Sequence, residues 1–247
     1  MAPWAIAGLG GLAAASTLLL GAAIAWFFRV PKGVTSGIRA FGAGVLISTL
    51  AFSLVQEANR GGGIVPTVLG FLTGAIIYVV ADWLISRTGA HSRKSQDGAR
   101  HADSSGTSIA VGALVDGVPE SLALGLTVAS GGALSIPVLV AIAISNVPEG
   151  LSSSTGMKAS GKSAGFVFGM WGGIAAASAL AALAGAALLS GFPPEVAAFV
   201  QTIAAGGILA MVANTMIPES FEREKALTGL IVSVGFLTAF VLHELGG

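Results

Sequence analysis

Two short segments carry the groups most able to do chemistry: Asp116-Gly117-Val118-Pro119-Glu120 and Ser145-Asn146-Val147-Pro148-Glu149. They are offset by 29 residues, and Val-Pro-Glu recurs unchanged in both. Each sits deep inside a run that otherwise reads as lipid-soluble helix. Asp116 and Glu120 are four residues apart, as are Ser145 and Glu149, so each pair shares one helix face. A charged group at the bilayer centre costs at least ~2.5–3.5 kcal/mol on insertion scales. Three carboxylates at that depth must therefore face the bundle interior, a water-filled path or one another.

Proline adds a second constraint. Pro119 cannot donate to the carbonyl of Val115, nor Pro148 to that of Ile144. Each helix is expected to kink there and expose a carbonyl, which membrane depth tolerates where the backbone lines a cavity. Oxygens from Asp116, Glu120, Ser145, Asn146 and Glu149, with those carbonyls, make a cage suited to a divalent cation. Bare carboxylates in such a cage repel one another, and a cation or protons relieve the repulsion. A proton relay without metal, or a carboxyl pair that simply joins two helices, are the competing readings of the same residues.

The elements that must position these groups follow from composition. Of 247 residues, 54% are hydrophobic and only 10% charged, with a mean hydropathy of +0.86. Soluble domains carry about 25% charge, so a water-soluble globule is excluded as the better reading. The 36 glycines suit closely packed membrane helices. With no cysteine there is no disulfide framework and no thiolate metal site, and a net charge of zero argues against nucleic acid as a partner.

Eight runs approach the ~20 apolar residues that a bilayer requires: 3–28, 36–57, 64–86, 108–129, 134–156, 163–190, 195–217 and 226–245. The first lacks a basic leader and is too long for a signal-peptide core, so it is read as a true span. Counting the gaps between spans, with Arg39 at the start of the second run assigned to the first gap, the odd ones hold 11 of the 12 basic residues, and only Arg60 falls elsewhere. Basic loops stay in the cytoplasm, which places both termini outside. The gap at 87–107, with His91 and His101, is expected to be a flexible cytoplasmic loop. Ser130-Gly131-Gly132 makes the link between spans four and five very short. The two spans are therefore expected to be antiparallel neighbours, with the two Pro-Glu segments side by side.

Other polar groups in the spans read more plainly. Asp82 and Glu57 are interfacial, and Gln201, Ser48 and Thr49 are expected to form interhelical hydrogen bonds. Ile217-Pro218-Glu219 reads as a helix stop before a charged loop, with an exit-side ligand as the sharper alternative. His243 is taken as interfacial.

With these residues in view, the sequence resembles the ZIP family of zinc and iron transporters over nearly its whole length. The resemblance rests on eight spans, a long third loop and two central Pro-Glu helices. It also draws on Gly70-Phe71-Leu72-Thr73-Gly74 and Ile217-Pro218-Glu219. The family pattern H-N-x-P-E-G reads here Asp116-Gly117-Val118-Pro119-Glu120-Ser121 on span four and Ser145-Asn146-Val147-Pro148-Glu149-Gly150 on span five. By this resemblance Asp116 and Ser145 stand where the family has histidines, Asn146 follows Ser145, and Glu120 and Glu149 match its glutamates. Gly117 cannot coordinate through a side chain, and Gly172 to Ala177 on span six offers no carboxylate, so at most one metal site is implied. An all-oxygen set leans from Zn²⁺ toward harder ions such as Mn²⁺, Mg²⁺ or Ca²⁺, although zinc also accepts carboxylates.

The expectation is an all-α, polytopic membrane protein forming one domain of eight transmembrane helices with Pro-kinked helices four and five. It is expected to move a divalent metal ion (zinc, manganese or iron) into the cytoplasm across the cell membrane. The metal site is expected at Asp116, Glu120, Ser145, Asn146 and Glu149. No ATP-binding motif is present; no enzyme activity and no cofactor are expected, the metal being substrate. The expected partners are the lipid bilayer and the metal ion, and the sequence is compatible with a homodimer. A proton-coupled carrier of another small solute and a non-transporting metal sensor are the alternatives.

Overall fold

The computed structural model describes residues 2–87, 106–131, 134–189, 191–221 and 226–246. The loop carrying His91 and His101 lies outside the described residues. So do the side chains of some helical residues, Asp116 and Pro119 among them. Among the described residues the chain forms helices and no strand.

Helix α1 spans Pro3–Phe27. Helix α2 runs over Lys32–Thr49, widens into a π-helical stretch at Leu50–Gln56 and resumes as α-helix over Glu57–Gly62. Then come α3 (Ile64–Arg87), α4 (Gly106–Gly131), α5 (Ile136–Ala159) and α6 (Ala164–Leu189). Helix α7 covers Pro194–Met211, a second π-helical stretch at Val212–Met216 and a last turn at Ile217–Phe221. Helix α8 spans Thr228–Gly246. Proline opens α1, α5 and α7, where its missing N–H is no loss. The turn from α2 into α3 is a single residue, Gly63, whose φ of 87° favours glycine.

Among the described residues, seven helices are long and apolar enough to cross a membrane, the build of a multi-pass membrane protein. The helices are not equally enclosed: 67% of the α2 span is buried against 17% of α8. Helices α3 and α8 turn rows of large aliphatic side chains outward, Leu69, Leu72, Ile76, Leu230, Val234 and Leu237 among them. Those rows suit acyl chains. Helices α2, α5 and α7 form the interior.

Close backbone approach sets who packs on whom. Gly150 of α5 abuts the carbonyl of Leu18, and Gly21 of α1 abuts that of Val147, so α1 and α5 interlock. A β-carbon at any of these glycines would strike backbone. Gly125 of α4 lies likewise against the Ala182 carbonyl of α6. Helix α2 packs on α8 and α5, and α3 on α7. A buried cluster around Trp171 fills the space between α1, α5 and α6, with the indole Nε1 donating to Ser154 Oγ at 2.8 Å.

This packing corrects one expectation. Despite their short link, α4 and α5 touch little; α4 lies on α6 and α7, and α5 lies on α1 and α2. A short link fixes only where one helix begins after another ends. The interlocking glycines decide which faces pack.

Candidate functional site

The stretch Ser145-Asn146-Val147-Pro148-Glu149-Gly150 divides into two stripes on α5. Asn146 and Gly150, four residues apart, face α1: Asn146 Nδ2 donates to the Ala14 carbonyl at 3.1 Å, and Gly150 meets Leu18. Ser145 and Glu149, also four apart, line a cavity of about 40 Å³ in the bundle interior together with Pro148. Glu120 of α4 lines the same cavity. The two Val-Pro-Glu copies thus do meet, across a cavity instead of along a shared helix interface. Helix α5 runs without interruption through Pro148.

The cavity is closed by residues from two more helices. Met211, Thr215, Met216 and Glu219 come from α7, and Arg39 comes from α2. Arg39 and Glu219 form an ion pair between Nη1 and Oε2, with side chains only 10% and 18% exposed. Thr215 and Met216 lie in the π-helical stretch of α7, and Thr215 Oγ1 is 3.4 Å from the Tyr78 hydroxyl. Such π-helical insertions are frequent at functional sites because they re-aim side chains without breaking the helix.

On the other side of Glu120 is a void of about 10 Å³, lined also by Thr49, Leu50, Leu54, Ile142 and Ile208. The volume is that of about one water molecule. Thr49 Oγ1 is fully buried there and has no hydrogen-bond partner among the described residues. Ser48 Oγ is in the same state. Among the described residues, the interhelical hydrogen bonds expected of this pair are therefore not made. Gln201 does make one, from Nε2 to the carbonyl of Leu54 at 3.1 Å. It thereby satisfies a carbonyl within the π-helical stretch of α2.

A separate cavity of about 280 Å³ lies near the ends of α2 and α7, lined by Glu57, Gln201, Phe192 and Leu126 among others. Close by, His243 Nδ1 lies 3.2 Å from Ser53 Oγ, and the ring stacks on Phe52. Another hollow, of about 460 Å³ between α3, α4 and α7, is lined almost wholly by aliphatic side chains and offers no chemistry.

Of the expected metal ligands, Glu120, Ser145 and Glu149 line one cavity, and Asn146 is committed to Ala14. Asp116 is one turn before Glu120 in α4, and its side chain lies outside the described residues. Among the described residues, no three His, Cys, Asp or Glu side chains are grouped closely enough to hold a metal ion. The carboxylates that line the cavity are thus not drawn together into a finished coordination shell.

Two further residues line the cavity that the sequence did not count among the ligands. Arg39 was counted as a loop charge, yet α2 begins before the apolar run does and takes Arg39 inside the bundle. Glu219 was read as part of a helix stop, with an exit-side ligand as the alternative; α7 does end two residues later, at Phe221, and Glu219 lines the cavity and pairs with Arg39. Arg39 was findable as an i, i+3 neighbour of Gly42, on a helix whose small residues mark a packed face. Compared with protein-family models and with curated proteins, the chain returns no match.

Proposed function

We propose that this chain moves a divalent metal ion across the membrane into the cytoplasm, as its resemblance to the ZIP family implies. The observation that carries the reading is the meeting of Glu120 and Glu149, from the two Val-Pro-Glu copies, at one interior cavity. Ionisable groups buried in a membrane bundle mark ion paths by default, since their burial is otherwise so unfavourable. The unpartnered Thr49 hydroxyl beside Glu120 adds a neutral oxygen donor of the kind a hard cation uses.

In this reading the protein spans the cell membrane eight times with both termini outside. The cavity near Glu57 and Gln201 serves as the outer vestibule. An ion then passes to Glu120, Ser145 and Glu149, with Asp116 joining from one turn earlier on α4. Carbonyls left without donors by Pro119 and Pro148 complete the shell. Release inward follows a rocking of one helix group against the other, as in carriers with mid-membrane sites.

The test is uptake of Zn²⁺, Mn²⁺ and Fe²⁺ into vesicles holding the native protein, Glu120→Ala or Glu149→Ala. Each substitution is expected to lower uptake by at least about tenfold, since affinity at hard-cation sites follows the number of charged ligands. Uptake equal to native by both variants would sink the reading. One observation favours a second reading, a proton-coupled carrier of a small anionic or zwitterionic solute: the Arg39 guanidinium stands in the same cavity. In that case no metal is taken up by the native protein.

A further inference from the structure

Where α1 and α5 end and α6 begins, basic and aromatic side chains gather from segments that hold no carboxylate. Neither residues 1–56 nor residues 150–194 contain an aspartate or glutamate. Lys158, in the last turn of α5, donates from Nζ to the Trp26 carbonyl at 2.5 Å and lies 5.2 Å from the centroid of the Trp26 ring. It thereby satisfies a carbonyl that the end of α1 leaves without a helical partner. Gly161, at a φ of 79°, folds the chain back so that the Lys162 N–H reaches the Met157 carbonyl at 3.0 Å. Lys162 is thus carried beside the end of α5, with Nζ 5.4 Å from the centroid of the Phe166 ring. Arg29 follows α1 by two residues and is exposed, next to Phe27 and Phe28, which are 72% and 68% exposed.

We propose that this surface binds the headgroup of an anionic phospholipid, with Arg29, Lys158 and Lys162 holding the phosphate while Phe27, Phe28 and Phe166 sit among the acyl chains. The bond to Trp26 uses one of the three N–H groups of the Lys158 ammonium and fixes where the other two stand, so a phosphate oxygen meets a donor already in place. Among the described residues no carboxylate lies in ion-pair contact with any of the three cations. The exposed rings select a lipid over a soluble acidic partner, because at the bilayer interface apolar bodies meet acyl chains while cationic tips reach the phosphates. In the topology proposed above this end faces the cytoplasm, the side whose leaflet carries the negative surface potential.

The inference needs only that these helices span a bilayer, and it is tested without metal, so it stands or falls apart from what the interior cavity carries. Native protein in neutral detergent is titrated with dioleoylphosphatidylglycerol, dioleoylphosphatidylcholine, inorganic phosphate and an oligoglutamate peptide, and bound molecules are counted by native mass spectrometry. The same is done for Arg29→Gln, Lys162→Gln and Arg29→Gln/Lys162→Gln, which spare the Lys158 cap of α1, and for Arg60→Gln, a basic residue of α2 outside this surface. A basic group at an anionic membrane surface is worth about fivefold in affinity. The native protein is therefore expected to prefer the glycerol lipid over the choline lipid by on the order of a hundredfold. Each single variant at the surface should lose about fivefold of that preference and the double variant about 25-fold, with Arg60→Gln unchanged.

Equal binding of the two lipids by the native protein overturns the inference. So does a preference that survives intact in the double variant, or one that Arg60→Gln lowers as much as the surface variants do, which would make it a matter of total charge. Inorganic phosphate held as tightly as the glycerol lipid would mark a free-anion site, and oligoglutamate held more tightly would mark a protein partner; either result also overturns it.

Discussion

Breaking the Arg39–Glu219 pair from one side should destabilise the protein far more than removing it whole. The side chains are 10% and 18% exposed, so water screens them poorly. Removing one partner of a buried pair costs roughly 3–5 kcal/mol, because the remaining charge has no compensation. Arg39→Met and Glu219→Ala should each fall in that range. The double variant Arg39→Met/Glu219→Ala should return to within about 1 kcal/mol of the native protein, since an ion pair replaced whole by uncharged groups is often neutral. In a chain of this size each kcal/mol moves the midpoint by about 2–4 °C, so each single variant should melt roughly 6–20 °C lower. Thermal unfolding in detergent, followed by circular dichroism, reads this directly, and the double-mutant cycle isolates the coupling. Single variants that each cost less than about 1 kcal/mol, as exposed pairs do, would refute the reasoning by showing a hydrated pair.

Two other outcomes are expected. Asn146→Ala should lower stability by about 0.6–1.7 kcal/mol, the range for interhelical hydrogen bonds in membranes. It should leave Mn²⁺ binding at the native level while Glu149→Ala abolishes it; equal losses would make Asn146 a ligand. Thr49→Val should raise stability by about 1 kcal/mol, since it removes a buried hydroxyl without a partner while keeping the shape. It should also slow metal uptake, and a fall in melting temperature would contradict the placement of that hydroxyl.

The sequence carried the helices and the glutamates because both rest on strong physical constraints. Apolar runs near 20 residues leave a chain few choices in lipid. Carboxylates inside such runs must point inward, and four-residue spacing put Ser145 with Glu149 on the face that lines the cavity. Asn146 was expected among the ligands, yet with Gly150 it lies on a second face, the one that packs on α1. Adjacency of helices was not legible. It depends on which glycines let two backbones touch, as at Gly125 with Ala182 and Gly150 with Leu18. Nor were the π-helical stretches at Leu50–Gln56 and Val212–Met216 legible, since a local change of winding leaves apolar composition unaltered. Arg39 was lost because charge counting assigns a basic residue near a span's end to the loop, whereas helix α2 starts at Lys32.

The account's central claim is that Glu120 and Glu149 serve one ion at one cavity. A structure of the protein soaked in Mn²⁺, with the metal located by anomalous scattering, tests it most directly. The predicted result is a single strong peak between Glu120, Ser145 and Glu149, at oxygen distances near the ~2.1–2.3 Å of hard divalent ions. A peak confined to the Glu57 cavity or to His243, or no peak in the bundle interior at saturating Mn²⁺, would contradict it.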